Sequence, residues 1–190
     1  KPANHIWPWS QGKYPSMPPF KEKYGLTGGI VTAVDLLKGL GVLTQLETPD
    51  VPGATGFIDT NYANKMKAAL KLLEHHDFCY LHIEAPDEAG HMGNPTIKKQ
   101  AIEDFDKKIV YEVLNYTKKN PDTVVMILPD HPTPCALKTH TNEPVPFIIF
   151  HSKMEKKSNL TYSEKNANLS QNVFHSPWEL LDYFLSLTPK

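Results

Sequence analysis

The sequence predicts an α/β fold, a three-layer αβα sandwich in which a mainly parallel sheet lies between helices. Short apolar runs rich in β-branched residues alternate along the 190-residue chain with longer segments that carry apolar residues at helical spacing. A helix between two such strands normally connects them as a right-handed crossover, which makes the strands parallel. Ligands are then expected at the carboxyl ends of the strands.

The amino-terminal elements follow from local patterns. Residues 1–24 are rich in proline and aromatic residues and have neither helical nor strand periodicity, so we predict a connector leading into a domain over residues 25–190. Five elements are then predicted in chain order: a strand at 28–34, a helix at 35–41, a short strand at 45–48, a helix at 61–75 and a strand at 78–84.

The second half repeats the alternation. A long amphipathic helix is predicted over residues 95–118, because its apolar side chains recur at helical spacing. These side chains are Ile102, Phe105, Ile109 and Val113. Strands ending at Asp130 and Phe150 follow, and then a polar surface segment at 152–172. The last helix is predicted to begin with Ser176 as its cap and Glu179 completing a capping box.

Composition excludes several classes of partner. The net charge is −1 and the lysines are scattered, so neither nucleic acid nor an anionic membrane is an expected partner. Without a signal-peptide pattern or an apolar span, cytoplasm is the default location. The two cysteines do not suggest a disulfide framework. All 20 basic residues are lysine, and arginine, which binds phosphate or carboxylate through two hydrogen bonds, is absent. Either the part of the protein that binds such a substrate lies outside this chain, or the genome simply favours lysine codons.

Carboxylate and imidazole side chains follow two of the predicted strands. Asp130 and His131 end one apolar run, whereas Asp87 and His91 follow another, and His140 comes shortly after the first pair. Neutral imidazoles and carboxylates bind zinc, manganese and related ions, so this joint pattern predicts a two-metal site.

Several other acidic residues and histidines are not predicted to be metal ligands. Glu84 and Glu88 are interpreted as groups that contact the metal ligands, with an exposed surface position as an equal alternative for Glu88. The adjacent pair His75 and His76, like His5, lacks a strand-end position, and these histidines are expected to be surface groups.

Several motifs in combination resemble one enzyme family. They are Glu84 to His91 (EAPDEAGH), Leu128 to Pro134 (LPDHPTP), His140-Thr141 before Pro144 to Phe147, Trp7 to Pro15, Asp35 to Gly39 and Val51 to Gly56. Together they resemble the carboxyl-terminal half of archaeal-type cofactor-independent (2,3-bisphosphoglycerate-independent) phosphoglycerate mutases. That family belongs to the alkaline phosphatase superfamily, so the resemblance implies an alkaline-phosphatase-like fold.

The resemblance implies two divalent metal ions, manganese, zinc or magnesium. Asp87, His91 and His140 would hold one ion, while Asp130 and His131 would hold the other. In the family an aspartate and a serine nucleophile complete the second site, and this sequence has no match to either motif, so no catalytic nucleophile is assigned here. Lys38 is assigned a phosphate contact, and Lys138 stands where related sequences often have arginine.

The implied activity is the interconversion of 2- and 3-phosphoglycerate, a glycolytic isomerase reaction that passes through phosphoserine in the full-length enzyme. This chain is expected to be the tail of that enzyme, inactive alone, with the missing amino-terminal part as its partner. Alternatives are another phosphatase or phosphomutase of the superfamily, a relative labelled homoserine kinase, and a non-catalytic metal-binding module. An aspartate and a serine nucleophile encoded upstream of this sequence would favour the enzyme over the non-catalytic module.

Overall fold

The structure, a computed structural model, describes residues 12–153 and 160–187, and it divides into two compact units. Of the described residues, the first unit comprises 12–51 and 67–82, and the second comprises 52–66, 83–153 and 160–187. Both contain helices and paired strands, which confirms the α/β class. The first eleven residues of the predicted connector lie outside the described residues, and the predicted boundary at residue 25 stays a prediction.

The first unit contains a parallel strand pair against a small apolar core. Its elements are α1 (Phe20–Tyr24), β1 (Gly28–Val31), α2 (Asp35–Leu43), the end of α3 (Tyr62–Leu72) and β2 (Phe78–Leu81). The two strands pair from Gly28 with Phe78 to Val31 with Leu81. A β-carbon at Gly29 would lie 2.6 Å from Leu72 Cδ1, so glycine lets α3 pack directly on the strand. Val31, Ala69 and Leu72 form the buried core.

One expectation for this unit was wrong, and one helix was not predicted. The short strand predicted at 45–48 is only a single parallel bridge between Gly29 and Glu47. Within the predicted connector, Phe20 to Tyr24 form a helix that ends at a left-handed Gly25, and the Phe20 ring is buried 5.0 Å from that of Phe78. A single turn of helix is too short to show a hydrophobic period, so its one buried aromatic residue gave no signal.

Asp77 joins the start of β1 to the start of β2, and its removal should destabilise the protein in a pH-dependent way. Its carboxylate accepts hydrogen bonds from the Thr27 backbone N–H at 2.8 Å and hydroxyl at 2.9 Å, and these bonds lower the pKa of Asp77. Stability from such a group is complete above the unfolded-state value of about 3.9 and is lost as the pH falls through the lowered folded-state value.

Asp77→Ala is therefore expected to lower the thermal midpoint at pH 7, and this deficit should narrow as the pH falls below about 4. Thermal melts of the two proteins across pH 3–7 test this, with the exposed Glu74→Ala as the control. A deficit of constant size over the whole range would contradict the assignment.

The second unit contains the start of α3 and the remaining elements. These are α4 (Ala85–His91), α5 (Pro95–Phe105), a π-helical segment (Asp106–Val110), α6 (Tyr111–Lys119), β3 (Val124–Ile127), β4 (Ile148–His151), α7 (Glu164–Ala167) and α8 (Pro177–Ser186). Strands β3 and β4 pair antiparallel, from Val124 with His151 to Ile127 with Ile148. The connection from β3 to β4 contains no crossover helix, which agrees with their antiparallel pairing. Parallel pairing among the described residues is confined to the first unit.

The long helix predicted over 95–118 is present, but its buried face differs from the predicted stripe. Ile109 is buried as expected, whereas Ile102 is 51% exposed and the adjacent Ala101 is buried in its place. The π-helical segment explains the difference. Its wider turn rotates the chain by about 80° per residue instead of about 100°, so a 3.6-residue period cannot be extrapolated across it.

Helix α8 begins at Pro177 as predicted, but the capping box is not formed. The Ser176 side chain makes no capping hydrogen bond. The amino-terminal end of α8 is marked instead by Pro177, which has no N–H that needs a partner in the first turn. None of the helices in the described part of the chain is both long and apolar enough to span a membrane.

Candidate functional site

Helix α4 brings the first two predicted ligands to one face. Pro86 lies in its first turn, where a missing N–H costs nothing, and Ala85, Ala89 and Gly90 are buried. Asp87 and His91 are one helical turn apart, and Asp87 Oδ2 lies 3.2 Å from His91 Nε2. The sequence analysis did not predict this helix, although it did select both side chains.

The segment that follows β3 brings the other three predicted ligands back to α4. The Thr141 N–H donates to the Pro132 carbonyl at 3.1 Å, which closes the intervening loop. As a result the His140 ring lies against the His131 ring, with centroids 3.7 Å apart. His131 Nε2 is 3.3 Å from the carboxylate of Asp130.

Three donor atoms converge at the centre of this cluster. His140 Nε2 lies 3.0 Å from His91 Nε2 and 3.5 Å from Asp87 Oδ1. Bonds of 2.0–2.1 Å from a tetrahedral zinc ion imply ligand–ligand separations of about 3.3 Å. The closest separations in the cluster are 3.0, 3.2 and 3.5 Å, of which the last two run to different oxygens of the Asp87 carboxylate, and they bracket that value. One donor atom from each of the three residues lies within 4.8 Å of the other two. Asp87, His91 and His140 therefore fit a single divalent ion.

The tautomer of His91 also fits a metal ligand. Its Nδ1 lies 3.0 Å from the backbone carbonyl of Lys138, which can only accept, so Nδ1 carries the proton. In the neutral ring Nε2 then has a free lone pair, and it points at the Nε2 of His140. Two ring nitrogens facing each other at this distance need either a proton or a cation between them. A backbone carbonyl that fixes the far nitrogen is the usual second contact of a metal-bound histidine.

Asp87 is connected to the second predicted pair as well. Its Oδ1 accepts a short hydrogen bond from the buried Thr133 hydroxyl and lies 3.9 Å from His131 Nδ1. All five predicted ligands thus lie together in the second unit. Their division between two ions stays a prediction, because Asp130 and His131 supply only two protein ligands.

A buried lysine beside the cluster was missed by the sequence analysis. The Lys65 side chain is fully buried in the second unit, and its Nζ donates to the Thr55 carbonyl at 3.0 Å. Burial lowers the pKa of Lys65 while the charge of Glu84 opposes this shift. Burial, followed by the charges of Glu88 and Asp87, raises the pKa of Glu84. Lys65 is thus a counter-charge for acidic residues at the start of α4, and a lysine in a helix otherwise rich in surface lysines gives no sequence signal of this role.

Two other predicted residues have different surroundings. Lys38 lies on α2 in the first unit, where its Nζ is 3.6 Å from the carboxylate of the exposed Asp50, and its assigned phosphate contact stays a prediction. Lys138 contributes its backbone, which adopts a left-handed conformation with φ of 56° and orients His91 through its carbonyl. Cys79 and Cys135 are both free thiols, as the sequence suggested.

Similarities to known proteins agree with this chemistry. The chain is 47% identical over 185 residues to a protein named probable 2,3-bisphosphoglycerate-independent phosphoglycerate mutase from Geobacter sulfurreducens, covering 97% of this chain and 46% of the relative. It is 55% identical over 150 residues to the 2,3-bisphosphoglycerate-independent phosphoglycerate mutase of Methanothrix thermoacetophila, covering 78% of this chain and 38% of the relative. The chain therefore spans less than half the length of these relatives.

Solved structures show the same fold. The PH0037 protein from Pyrococcus horikoshii superposes with a TM-score of 0.81 at 29% identity, covering 94% of this chain and 55% of that one. The cofactor-independent phosphoglycerate mutase from Thermoplasma acidophilum gives 0.71 at 26% identity, with 93% and 40% covered. These similarities confirm the predicted α/β, alkaline-phosphatase-like fold. Residues 2–176 match the family described as the Metalloenzyme superfamily, and the chain belongs to that superfamily.

Proposed function

We propose that the protein containing this chain interconverts 2- and 3-phosphoglycerate, and that the cluster on α4 and after β3 is part of its metal centre. In this proposal Asp87, His91 and His140 hold one divalent ion, while Asp130 and His131 contribute to a second. The convergence of three donor atoms, with His91 oriented by a backbone carbonyl, is the observation that supports it. The names of the similar proteins favour this reaction.

Divalent ions in such a centre neutralise phosphoryl oxygens and activate a nucleophile. The residues of this chain orient the ligands. Thr133 donates to Asp87 and fixes its carboxylate, and the Lys138 carbonyl fixes the ring of His91. The His131 ring packs on His140 and limits its rotation. These contacts set the ligand geometry before any ion arrives, which reduces the entropy lost on binding.

The rest of the reaction is proposed to involve other parts of the longer protein. These 190 residues contain no arginine, so we propose that arginines elsewhere grip the substrate and that a serine there carries the transferred phosphate. Zinc, manganese and magnesium are all compatible with carboxylate and imidazole ligands. We also propose a cytoplasmic location, which suits an enzyme of glycolysis.

The experiment is a ³¹P NMR assay of the full-length protein with 3-phosphoglycerate. We expect conversion to 2-phosphoglycerate without release of inorganic phosphate, loss of this activity after chelation, and recovery on addition of Mn²⁺ or Zn²⁺. Release of inorganic phosphate without isomerisation would favour a phosphatase of the same superfamily. Full activity in metal-free buffer would overturn the proposed metal centre.

A further inference from the structure

We propose that Glu47, His75 and His76 form a second, surface-exposed binding site for a zinc-class divalent cation. These residues belong to the first unit, whereas the cluster of Asp87, His91 and His140 belongs to the second. The proposal is independent of the mutase activity. It concerns histidines that the sequence pattern alone suggested to be ordinary surface groups.

Two imidazole nitrogens converge on one carboxylate oxygen in this site. His76 Nε2 lies 3.0 Å and His75 Nε2 lies 3.2 Å from Glu47 Oε2, and the three atoms all fall within 4.8 Å of one another. Separations near 3.3 Å are those expected between ligands of a tetrahedral zinc ion. Two imidazoles and one carboxylate are a ligand set that zinc accepts, with water completing the coordination.

The backbone holds all three residues in place. Both histidine N–H groups donate to the Leu72 carbonyl at the end of α3, at 3.2 and 2.9 Å. The Glu47 N–H donates to Gly28, and its carbonyl accepts from Ile30, which fixes Glu47 beside β1. An ion would therefore meet a site that is largely preorganised, although its ligands come from positions 28 and 29 residues apart in the chain.

The electrostatic surroundings also favour a cation. The histidines follow the carboxyl end of α3, where the helix dipole places partial negative charge. The Glu47 carboxylate, which contacts both imidazoles, supplies the negative charge of the site. About half of the Glu47 and His75 side-chain surface is exposed, which leaves room for an ion and its water ligands.

A proton on His76 competes with a cation for this site and weakens the affinity for the cation. Within residues 12–153 and 160–187, His76 Nδ1 is buried without a hydrogen-bond partner, so in the metal-free protein its Nε2 carries the proton and donates it to Glu47. A cation at Nε2 must displace that proton. Binding is therefore expected to be weaker than at Asp87, His91 and His140, where a carbonyl satisfies the far nitrogen of His91.

The test is a calorimetric titration of chelator-treated full-length protein with Zn²⁺, using ZnCl₂ alone. Compared with the wild type, Glu47→Gln and His75→Asn should each bind one Zn²⁺ fewer per chain or bind that equivalent at least about tenfold more weakly. The control is Glu74→Gln, an exposed carboxylate in the same turn that lies outside the cluster, and it should bind as the wild type does.

Identical stoichiometry and affinities in all four proteins would overturn the site. His75→Asn changes an exposed side chain, so it provides the comparison even if the Glu47 variant does not fold. The two variants leave the second unit's cluster unchanged, so any Zn²⁺ bound at Asp87, His91 and His140 contributes equally to every titration.

Discussion

Asp87→Asn in the full-length protein is expected to lower turnover by more than about 100-fold and to reduce the bound divalent metal. Asparagine keeps the shape of the side chain but removes the charge that balances the ion. Asp87 contacts three of the other four predicted ligands, His91, His131 and His140. Its loss should therefore affect the whole cluster, and the measurements are steady-state kinetics and elemental analysis after dialysis.

The matched control is Glu103→Gln, which removes a carboxylate from the same unit where it only pairs with Lys99 and Lys107 on a helix surface. Surface pairs of this kind contribute little, so activity and metal content should remain. A thermal melt close to that of the wild type would show that the Asp87 defect is chemical. Wild-type metal content in Asp87→Asn would mean that the carboxylate is not a ligand.

Gly90→Ala is expected to destabilise the protein by about 3 kcal/mol and to weaken metal binding at the same time. A β-carbon at this position of α4 would lie 2.4 Å from the Thr133 carbonyl oxygen and 2.9 Å from its methyl group. That carbonyl also accepts a hydrogen bond from Lys98 Nζ at 2.6 Å, so it cannot retreat without breaking another contact. The segment that would have to move carries His131 and Thr133, which is why the metal site should suffer too.

The control for this prediction is the same substitution at another helical glycine. A β-carbon at Gly39, on α2, has no atom within 4 Å. Alanine is the better helix former, so Gly39→Ala should stabilise the protein by up to about 1 kcal/mol. Chemical denaturation of both variants measures the two effects. Equal and small changes would contradict the close packing of α4 on the segment after β3.

The elements that sequence reasoning identified are those with a strong hydrophobic period. The strands at Gly28, Phe78 and Val124 and the long helix from Pro95 were all predicted within a few residues. Helix α4 was missed because its seven residues bury only small side chains, so it has no apolar stripe to detect. The pairing of β3 with β4 depends on a contact between distant segments, which no local pattern encodes.

The candidate sites also differ in whether the sequence alone reveals them. The five strand-end ligands could be selected from the sequence because parallel strands end at a common edge and because the motifs resemble a known family. Glu47, His75 and His76 could not, since neither their spacing nor their local structure resembles a metal site. Lys65 was missed because its partners, the Thr55 carbonyl and the charge of Glu84, lie outside its own helix, where no helical spacing relates them to it.

The contact between His91 and His140 joins positions 49 residues apart. An ion shared by the two rings would act as a reversible cross-link that closes this loop. For a covalent link around a loop of this length the chain-entropy cost is about 4 kcal/mol. When the site assembles from the unfolded chain, the free energy of metal binding offsets the entropy that is lost on closing this loop. Removing the metal should therefore loosen the loop between α4 and His140, and amide hydrogen exchange in that segment would report occupancy of the site independently of an activity assay.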